Sequence, residues 1–259
     1  MNPRNTFTAI CAAALLALSQ TSALAFQESP LLSADVESGK LPSLENRLPA
    51  YPRVVETETI GQYGGDLRIA MARSRDTRLM TVYGYSRLVG YDGAYNLVPD
   101  ILESFESEND KVFTLTLREG HKWSDGHPFT TEDFRYWWED VANNPDLAPL
   151  GPPVLLKVDG EPAKVEILDE RNIRFSWSKP NPFFLPAMAG PRPPFIFRPA
   201  HYLKQFHGAY ADPAALEEKV KNRRMRNWAA LHNSQDNLYD MDNPYLPTLQ
   251  PPYVVKNVE

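Results

Sequence analysis

The sequence predicts a mixed α/β fold, and one short stretch carries most of the evidence for it. Residues 113–117 alternate apolar and polar side chains, which is the period of a half-buried strand. Asp125-Gly126 follows as a turn pair, because glycine accepts a positive φ that other residues resist. The apolar residues at positions 134, 137, 138 and 141 then form one face of a helix.

Local signals also mark both ends of that helix. Thr130 stands where an N-cap belongs, and Asp133 three residues later is an acidic N3 partner. The helix is expected to end at residues 143–145, Asn-Asn-Pro. We therefore interpret the stretch as a rigid scaffold and assign structural roles to four of its residues: Trp123, Asp125, Gly126 and Asp133.

The first 25 residues have the features of a secretory signal peptide. Arg4 provides a basic start, Ala9 to Leu18 is an apolar run, and Ala23-Leu24-Ala25 is an A-x-A cleavage site. Cleavage there would leave 26 basic and 33 acidic side chains, a formal charge of −7. That balance argues against nucleic acid and anionic membranes as partners.

The single cysteine, Cys11, lies inside this segment. The mature protein would therefore contain no cysteine, which excludes thiol catalysis and cysteine-based metal sites. Residues 26–61 show no clear period and are interpreted as an N-terminal arm or linker.

A polar loop follows a predicted strand at residues 67–71. In open α/β sheets, ligands bind beyond the carboxyl ends of strands, so Arg73, Ser74 and Asp76 are candidates for contacting a ligand. The alternative is a solvated surface loop.

Two further places supply ligand-facing candidates. Tyr83 and Tyr85 combine apolar rings with polar tips, as binding pockets favour, although such tyrosines also occur in ordinary cores. Arg192 lies in a stiff proline-rich turn at residues 189–194.

The rest of the chain predicts short elements. A hairpin is expected across residues 169–172, joining apolar positions 165 and 167 to 173, 175 and 177. A short strand is expected at 195–197, and helices at 200–206 and 214–222, with Pro199 at position N1 of the first and Asp212-Pro213 capping the second. The basic run Lys219–Arg226 is interpreted as a solvated helix face.

The pattern L-R-x-G-x-K-W-S-D-G-x-P-F-T-x-E-D-F at residues 117–134 closely resembles the signature of the family 5 extracellular solute-binding proteins. These are the peptide, nickel and oligosaccharide receptors of ABC importers. Y-G-G-D-L-R-I-A at 63–70 and N-P-F-F-L at 181–185 are also similar to family segments. The resemblance runs from residue 62 to the end, so residues 62–259 are expected to form the N-terminal part of the family domain.

The resemblance implies a periplasmic-binding-protein type II fold, N-terminal portion only, with the second lobe absent. It also implies a periplasmic protein that captures peptides or related organic solutes and delivers them to ABC transporter permease subunits. No cofactor, metal or covalent chemistry is implied. The chain is then a fragment, a truncated gene product or a short form of the family.

Three alternatives remain open. A nickel receptor of the same family would use imidazole ligands, but the histidines form no H-x-x-x-H pair and are expected at the surface or as caps: His121, His127, His201, His207 and His232. An enzyme is disfavoured, because G-x-S-x-G, H-E-x-x-H and P-loop motifs are missing, and Ser124-Asp125 near His121 fits a turn better than a catalytic triad. A truncated remnant that binds no ligand is the third.

Overall fold

The computed structural model describes residues 26–55, 58–65, 70, 72–73, 76, 87–190, 193–237 and 243–249. Its central feature is a four-stranded antiparallel sheet in the order β3-β4-β8-β7. The strands of the described residues are β1 Val89–Tyr91, β2 Leu97–Pro99, β3 Leu102–Glu108, β4 Val112–Leu117, β5 Lys157–Val158, β6 Glu161–Pro162, β7 Lys164–Ile167 and β8 Asn172–Ser176.

The alternating pattern at the centre of the sequence forms β4, as predicted. Phe113, Leu115 and Leu117 are buried, whereas the residues between them are half-buried. Phe113 pairs with Phe175 and Leu115 with Ile173 of β8, so the buried side chains of neighbouring strands lie on one face. The predicted hairpin is also confirmed, since β7 and β8 are antiparallel partners.

The predicted amphipathic helix follows, and its start is capped as expected. The α-helical part is Thr131–Arg135, and it continues as a wider π-helix over Tyr136–Ala142. Thr130 and Asp133 form a reciprocal capping box. Tyr136 lies outside the predicted apolar face but is also fully buried, because it packs against Ala200 and Leu203.

The α-helices of the described residues are short. They are α1 Ser33–Glu37, α2 Leu44–Arg47, α3 Thr131–Arg135, α4 Phe184–Met188, α5 Ala200–Leu203, α6 Pro213–Asn222 and α7 Trp228–Gln235, with 3₁₀ turns at Val154–Leu156 and Lys204–Phe206. Asp212 caps α6 through the amide of Ala215, which confirms the predicted start of that helix. None of the helices in the described residues is long and apolar enough to cross a membrane.

The N-terminal arm is not extended throughout, because it contains α1 and α2 and is attached to the rest of the protein. The Ala50 amide donates to the carbonyl of Glu119 at 2.8 Å, and Arg118 donates to the carbonyl of Tyr51 at 2.9 Å. Arg53 forms an ion pair with Asp100 at 2.8 Å. These bonds hold residues 50–53 against the end of the central strand pair.

Two local predictions are wrong. Residues 195–197 form no strand, because this segment is bonded to side chains and caps instead of to a sheet: Arg198 donates to the carbonyls of Phe195 and Phe197, each at 2.9 Å. Pro199 is the N-cap and not N1, and the following helix changes to 3₁₀ geometry at Lys204. The predicted strand at 67–71 lies almost wholly outside the described residues.

The stretch at 147–162, which is rich in proline and glycine, contains a small hairpin, β5–β6, that was not predicted. Its two central residues, Asp159 and Gly160, have φ values of 53° and 86°. Two successive positive φ values are typical of the tight hairpin turns favoured by Asp-Gly pairs. The Asp-Gly signal was therefore present in the sequence but was hidden in a stretch rich in proline.

Candidate functional site

Two of the predicted ligand-facing residues lie together in one closed turn. The Arg73 amide donates to Oδ2 of Asp76 at 3.2 Å, and the Asp76 amide donates to the Arg73 carbonyl at 2.9 Å. Arg73 is exposed, and Asp76 is half-buried. The Arg73 side chain is therefore exposed to solvent, and the Asp76 carboxylate fixes the Arg73 backbone.

The other four predicted residues, Ser74, Tyr83, Tyr85 and Arg192, lie outside the described residues. Their neighbours in the chain are nevertheless in contact. Nε of Arg87 donates to the carbonyl of Gly190 at 2.9 Å. Since Arg87 is two residues after Tyr85 and Gly190 is two residues before Arg192, this bond joins two of the segments that the sequence analysis selected.

The buried carboxylate of Asp133 organises the neighbouring hairpin and helices. Its Oδ2 accepts the indole N–H of Trp123 at 3.0 Å and the amide of Thr130 at 3.1 Å. Its Oδ1 accepts the amide of Ala200 at 3.1 Å. Burial raises the pKa of Asp133, and these three hydrogen bonds oppose that rise.

The Asp133 contacts have a structural character. They connect the turn, α3 and the start of α5, and the Arg198 amide adds a bond to the Asp133 backbone carbonyl at 3.1 Å. Both carboxylate oxygens already accept hydrogen bonds from neighbouring donors. This arrangement agrees with the structural role assigned from the sequence, and it explains why Trp123 and Asp133 occur ten residues apart in the signature stretch.

The residues that could suggest a catalytic triad have other partners. Oδ2 of Asp125 lies 2.8 Å from Nε2 of His201, whose ring stacks on that of His127 with centroids 3.8 Å apart. Ser124 exchanges backbone and side-chain hydrogen bonds with Thr248. Ser124 and Asp125 therefore secure the turn to two distant segments, and His121 takes part in neither contact.

The prediction that the histidines lie at the surface or act as caps is wrong for two of them. His207 and His232 are buried, and Nε2 of His232 lies 2.7 Å from the hydroxyl of Tyr136. Burial, together with the nearby His207, lowers the pKa of His232 to about 3, so the ring that shares this hydrogen bond with Tyr136 is neutral at pH 7. No group of three or more metal-ligating side chains occurs within the part of the chain that the structure describes.

A buried ion pair adds a further polar contact that no motif indicated. Nε of Arg198 lies 2.6 Å from Oδ2 of Asp236, at the end of α7. Burial raises the pKa of Asp236, and Arg198 opposes the rise. The two residues are 38 positions apart, so their meeting depends on how α5 and α7 pack and not on local sequence.

The arm encloses a groove of about 780 Å³. Apolar side chains line most of it, including Phe26, Val36, Leu44 and Leu48, and Glu28 and Glu45 are its acidic members. Arg47 forms an ion pair with Glu28. This groove was not predictable from the sequence, because residues 26–61 lack the periodicity that marks a packed element.

The chain is similar to proteins of a known family. A family profile described as bacterial extracellular solute-binding proteins, family 5, middle part, matches residues 96–239, more than half of the chain. The chain belongs to family 5 of the bacterial extracellular solute-binding proteins. Members of family 5 are binding proteins and not enzymes.

Two curated relatives are named for different ligands. The periplasmic alpha-galactoside-binding protein of Rhizobium meliloti is 26% identical over 211 residues, which is 71% of this chain and 30% of the relative. The periplasmic oligopeptide-binding protein OppA of Salmonella typhimurium is 28% identical over 144 residues, which is 50% of this chain and 26% of the relative. The chain thus spans less than a third of the length of these relatives.

Solved structures of periplasmic binding proteins confirm the predicted fold. An oligopeptide-binding protein OppA superposes with a TM-score of 0.76 at 37% identity, over 87% of this chain and 35% of that one. The periplasmic binding protein MelB of Agrobacterium fabrum C58, in complex with stachyose, superposes with a TM-score of 0.59 at 25% identity, over 77% of this chain and 33% of that one. The α/β periplasmic-binding-protein fold is therefore confirmed.

Proposed function

We propose that this protein is the periplasmic substrate-binding component of an ABC importer, and that it captures peptides or related organic solutes. One observation carries the proposal: most of the chain superposes on an oligopeptide-binding protein at 37% identity. Function would then consist of binding, closure of lobes around the ligand and delivery to permease subunits, with no covalent step.

The proposed binding residues are those selected from the sequence: Arg73, Ser74, Asp76, Tyr83, Tyr85 and Arg192. Arginine forks suit carboxylates, and an aspartate suits an amino group, so this set matches the two charged ends of a peptide. The tyrosines would supply apolar surface for side chains. The turn that joins Arg73 to Asp76 and the bond between Arg87 and Gly190 support this assignment.

The proposed domain organisation follows the sequence. Residues 1–25 would be a cleaved signal peptide, 26–61 an arm, and 62–259 the family domain. Export to the periplasm is supported by the signal features and by relatives that are named as periplasmic. The bonds from residues 50–53 to the domain indicate that the arm folds together with it.

A second candidate ligand is an oligosaccharide. The curated relative from Rhizobium meliloti is named for alpha-galactosides, and the MelB structure holds stachyose. Peptide is preferred, because the oligopeptide-binding structure has the higher identity and the larger superposed share of this chain.

Titration followed by tryptophan fluorescence would test the proposal. The purified protein is titrated in parallel with a mixture of short peptides and with stachyose. Saturable binding of peptides, weakened by Arg73→Ala and unchanged by Lys164→Ala on the exposed edge of the sheet, supports the peptide proposal. Binding of stachyose alone supports the second candidate, and binding of neither contradicts both.

A further inference from the structure

The basic run after α6 holds three arginines within four residues, at positions 223, 224 and 226. All three are exposed. The other two basic side chains of the run have partners. Lys221 forms an ion pair with Glu217 at 2.7 Å, and Lys219 donates a hydrogen bond to Gln205 at 3.1 Å. Within the described residues, no carboxylate lies within ion-pair distance of the three arginines.

The backbone that carries these arginines is fixed at both ends. The Met225 amide donates to the Val220 carbonyl at 3.0 Å, and the Arg224 amide donates to the Lys221 carbonyl at 3.0 Å. This pair of bonds is the Schellman motif, which closes a helix. On the other side, Oδ1 of Asn227 accepts the Ala230 amide and caps α7.

The residue at the left-handed position of that motif is unusual. Arg224 has a φ of 53°, in a place where helices generally have glycine because a Cβ is unfavourable there. A side chain kept at a strained position points to a use other than stability. Here the Arg224 side chain adds a guanidinium group between Arg223 and Arg226 in the sequence.

We propose that Arg223, Arg224 and Arg226 form a docking surface, here called the arginine turn, for a carboxylate-rich segment of a partner protein. Guanidinium groups pair with carboxylates through two parallel hydrogen bonds, and three in one turn suit a cluster of acidic side chains. The rest of the chain is acidic, with 33 acidic residues against 22 basic ones outside the run. The turn is therefore a local reversal of charge, which favours one orientation of an acidic partner.

A protein segment suits the arginine turn better than a membrane does. Basic clusters that bind anionic lipids generally have about four to eight lysines or arginines, whereas three are available here. The net acidic charge of the rest of the chain would also repel an extended anionic plane, whereas a narrow acidic segment contacts only the turn.

Fluorescence anisotropy with a labelled octaglutamate peptide tests the proposal on the full chain. We expect binding that weakens with salt and falls by roughly tenfold or more in the triple variant R223Q/R224Q/R226Q, since each close charge pair is lost. The matched control is K40Q/K164Q/K179Q, which removes the same charge from three exposed lysines elsewhere and should bind as the unmodified protein does.

A single variant separates docking from folding. Arg224→Gly relieves the positive φ, so its melting temperature should be equal or higher while its affinity for octaglutamate falls. An equal loss of affinity in the two triple variants overturns the proposal, as does an absence of peptide binding. Binding to phosphatidylglycerol vesicles without binding to octaglutamate also overturns it, in favour of a lipid surface.

Discussion

The indole N–H of Trp123 donates to Oδ2 of Asp133 at 3.0 Å, and this bond joins the turn of the signature stretch to the helix that follows it. The same carboxylate accepts the amides of Thr130 and Ala200. One buried side chain thus holds a turn and the starts of two helices. The shared bond is a physical reason for the spacing of Trp123 and Asp133 in the stretch.

Asp133→Asn should destabilise the protein by about 2–4 kcal/mol, because the amide replaces an acceptor with a donor and leaves buried N–H groups without partners. Urea unfolding followed by tryptophan fluorescence measures the change. Asp146→Asn, at an exposed aspartate, is the matched control and should stay within about 0.5 kcal/mol. Equal stability of the two variants would show that Asp133 does not organise the junction.

Glu132 should make the protein sensitive to acid. Its hydrogen bond with Arg135, aided by Lys204, lowers the pKa of Glu132 to about 2. A lowered folded-state pKa stabilises the protein above the unfolded value of 4.5 and loses that effect as the pH falls toward 2. Because the side chain is partly exposed, the contribution is about 1 kcal/mol.

The expected result is that Glu132→Gln is less stable than the unmodified protein at pH 7 and equally stable near pH 2. Urea midpoints across this range provide the measurement. Ser104→Ala, in the exposed part of β3, removes no titratable group and is the matched control, so its stability relative to the unmodified protein should be the same at pH 7 and pH 2. A difference that is constant from pH 7 to 2 would contradict the assignment.

His232 should destabilise the folded state as the pH falls below 6.5. The unfolded ring takes up a proton there, whereas the buried ring stays neutral to about pH 3, so the unfolded state binds more protons. Its contribution to the free energy of unfolding then decreases by up to about 1.4 kcal/mol per pH unit. His121, whose pKa burial lowers to about 4, adds to the same trend.

His232→Gln should therefore reduce, without abolishing, the loss of stability between pH 6.5 and 4. The quantity to compare is the slope of the free energy of unfolding against pH. The absolute stability is not compared, because the substitution also changes the bond to Tyr136. Asn233→Gln, at an exposed position of α7 without a titratable group, is the matched control and should leave the slope unchanged. An unaltered slope in His232→Gln would mean that His232 is protonated equally in both states.

Gly126→Val should lower the melting temperature, because Gly126 has a φ of 87° and a β-branched residue is strongly disfavoured there. A Cβ at this position meets no atom within 4 Å, so the expected loss of about 1–2 kcal/mol comes from the backbone alone. Gly93→Val is the matched control, with equally open space and no positive φ. Equal melting of the two variants would refute the turn assignment.

Local chemistry explains which parts of this fold were predictable. The alternation in β4, the capping box at Thr130 and the cap at Asp212 depend on residues within a few positions of one another, and all three are confirmed. Positions that depend on distant contacts were missed. Residues 195–197 are bonded to Arg198 instead of to a strand, and the pair Arg198–Asp236 forms only when separate helices pack.

The candidate site was predictable to a smaller extent. The sequence selected Arg73 and Asp76 as a polar turn, and the two are bonded to each other. It did not indicate that His207 and His232 are core residues, because both lie beside Tyr136, whose burial depends on packing with a segment distant in the sequence. Binding residues generally lie on loops, and the packing of the elements that carry those loops decides which residues come together. That packing cannot be read from the residues of the loops themselves.

The central claim, capture of a peptide or related solute, is tested most directly by native mass spectrometry of the protein isolated from its own cell envelope. We expect a population heavier than the bare chain, and we expect peptides or related solutes to be released from it on denaturation. A single species with the bare mass, unchanged after incubation with short peptides, would contradict the claim.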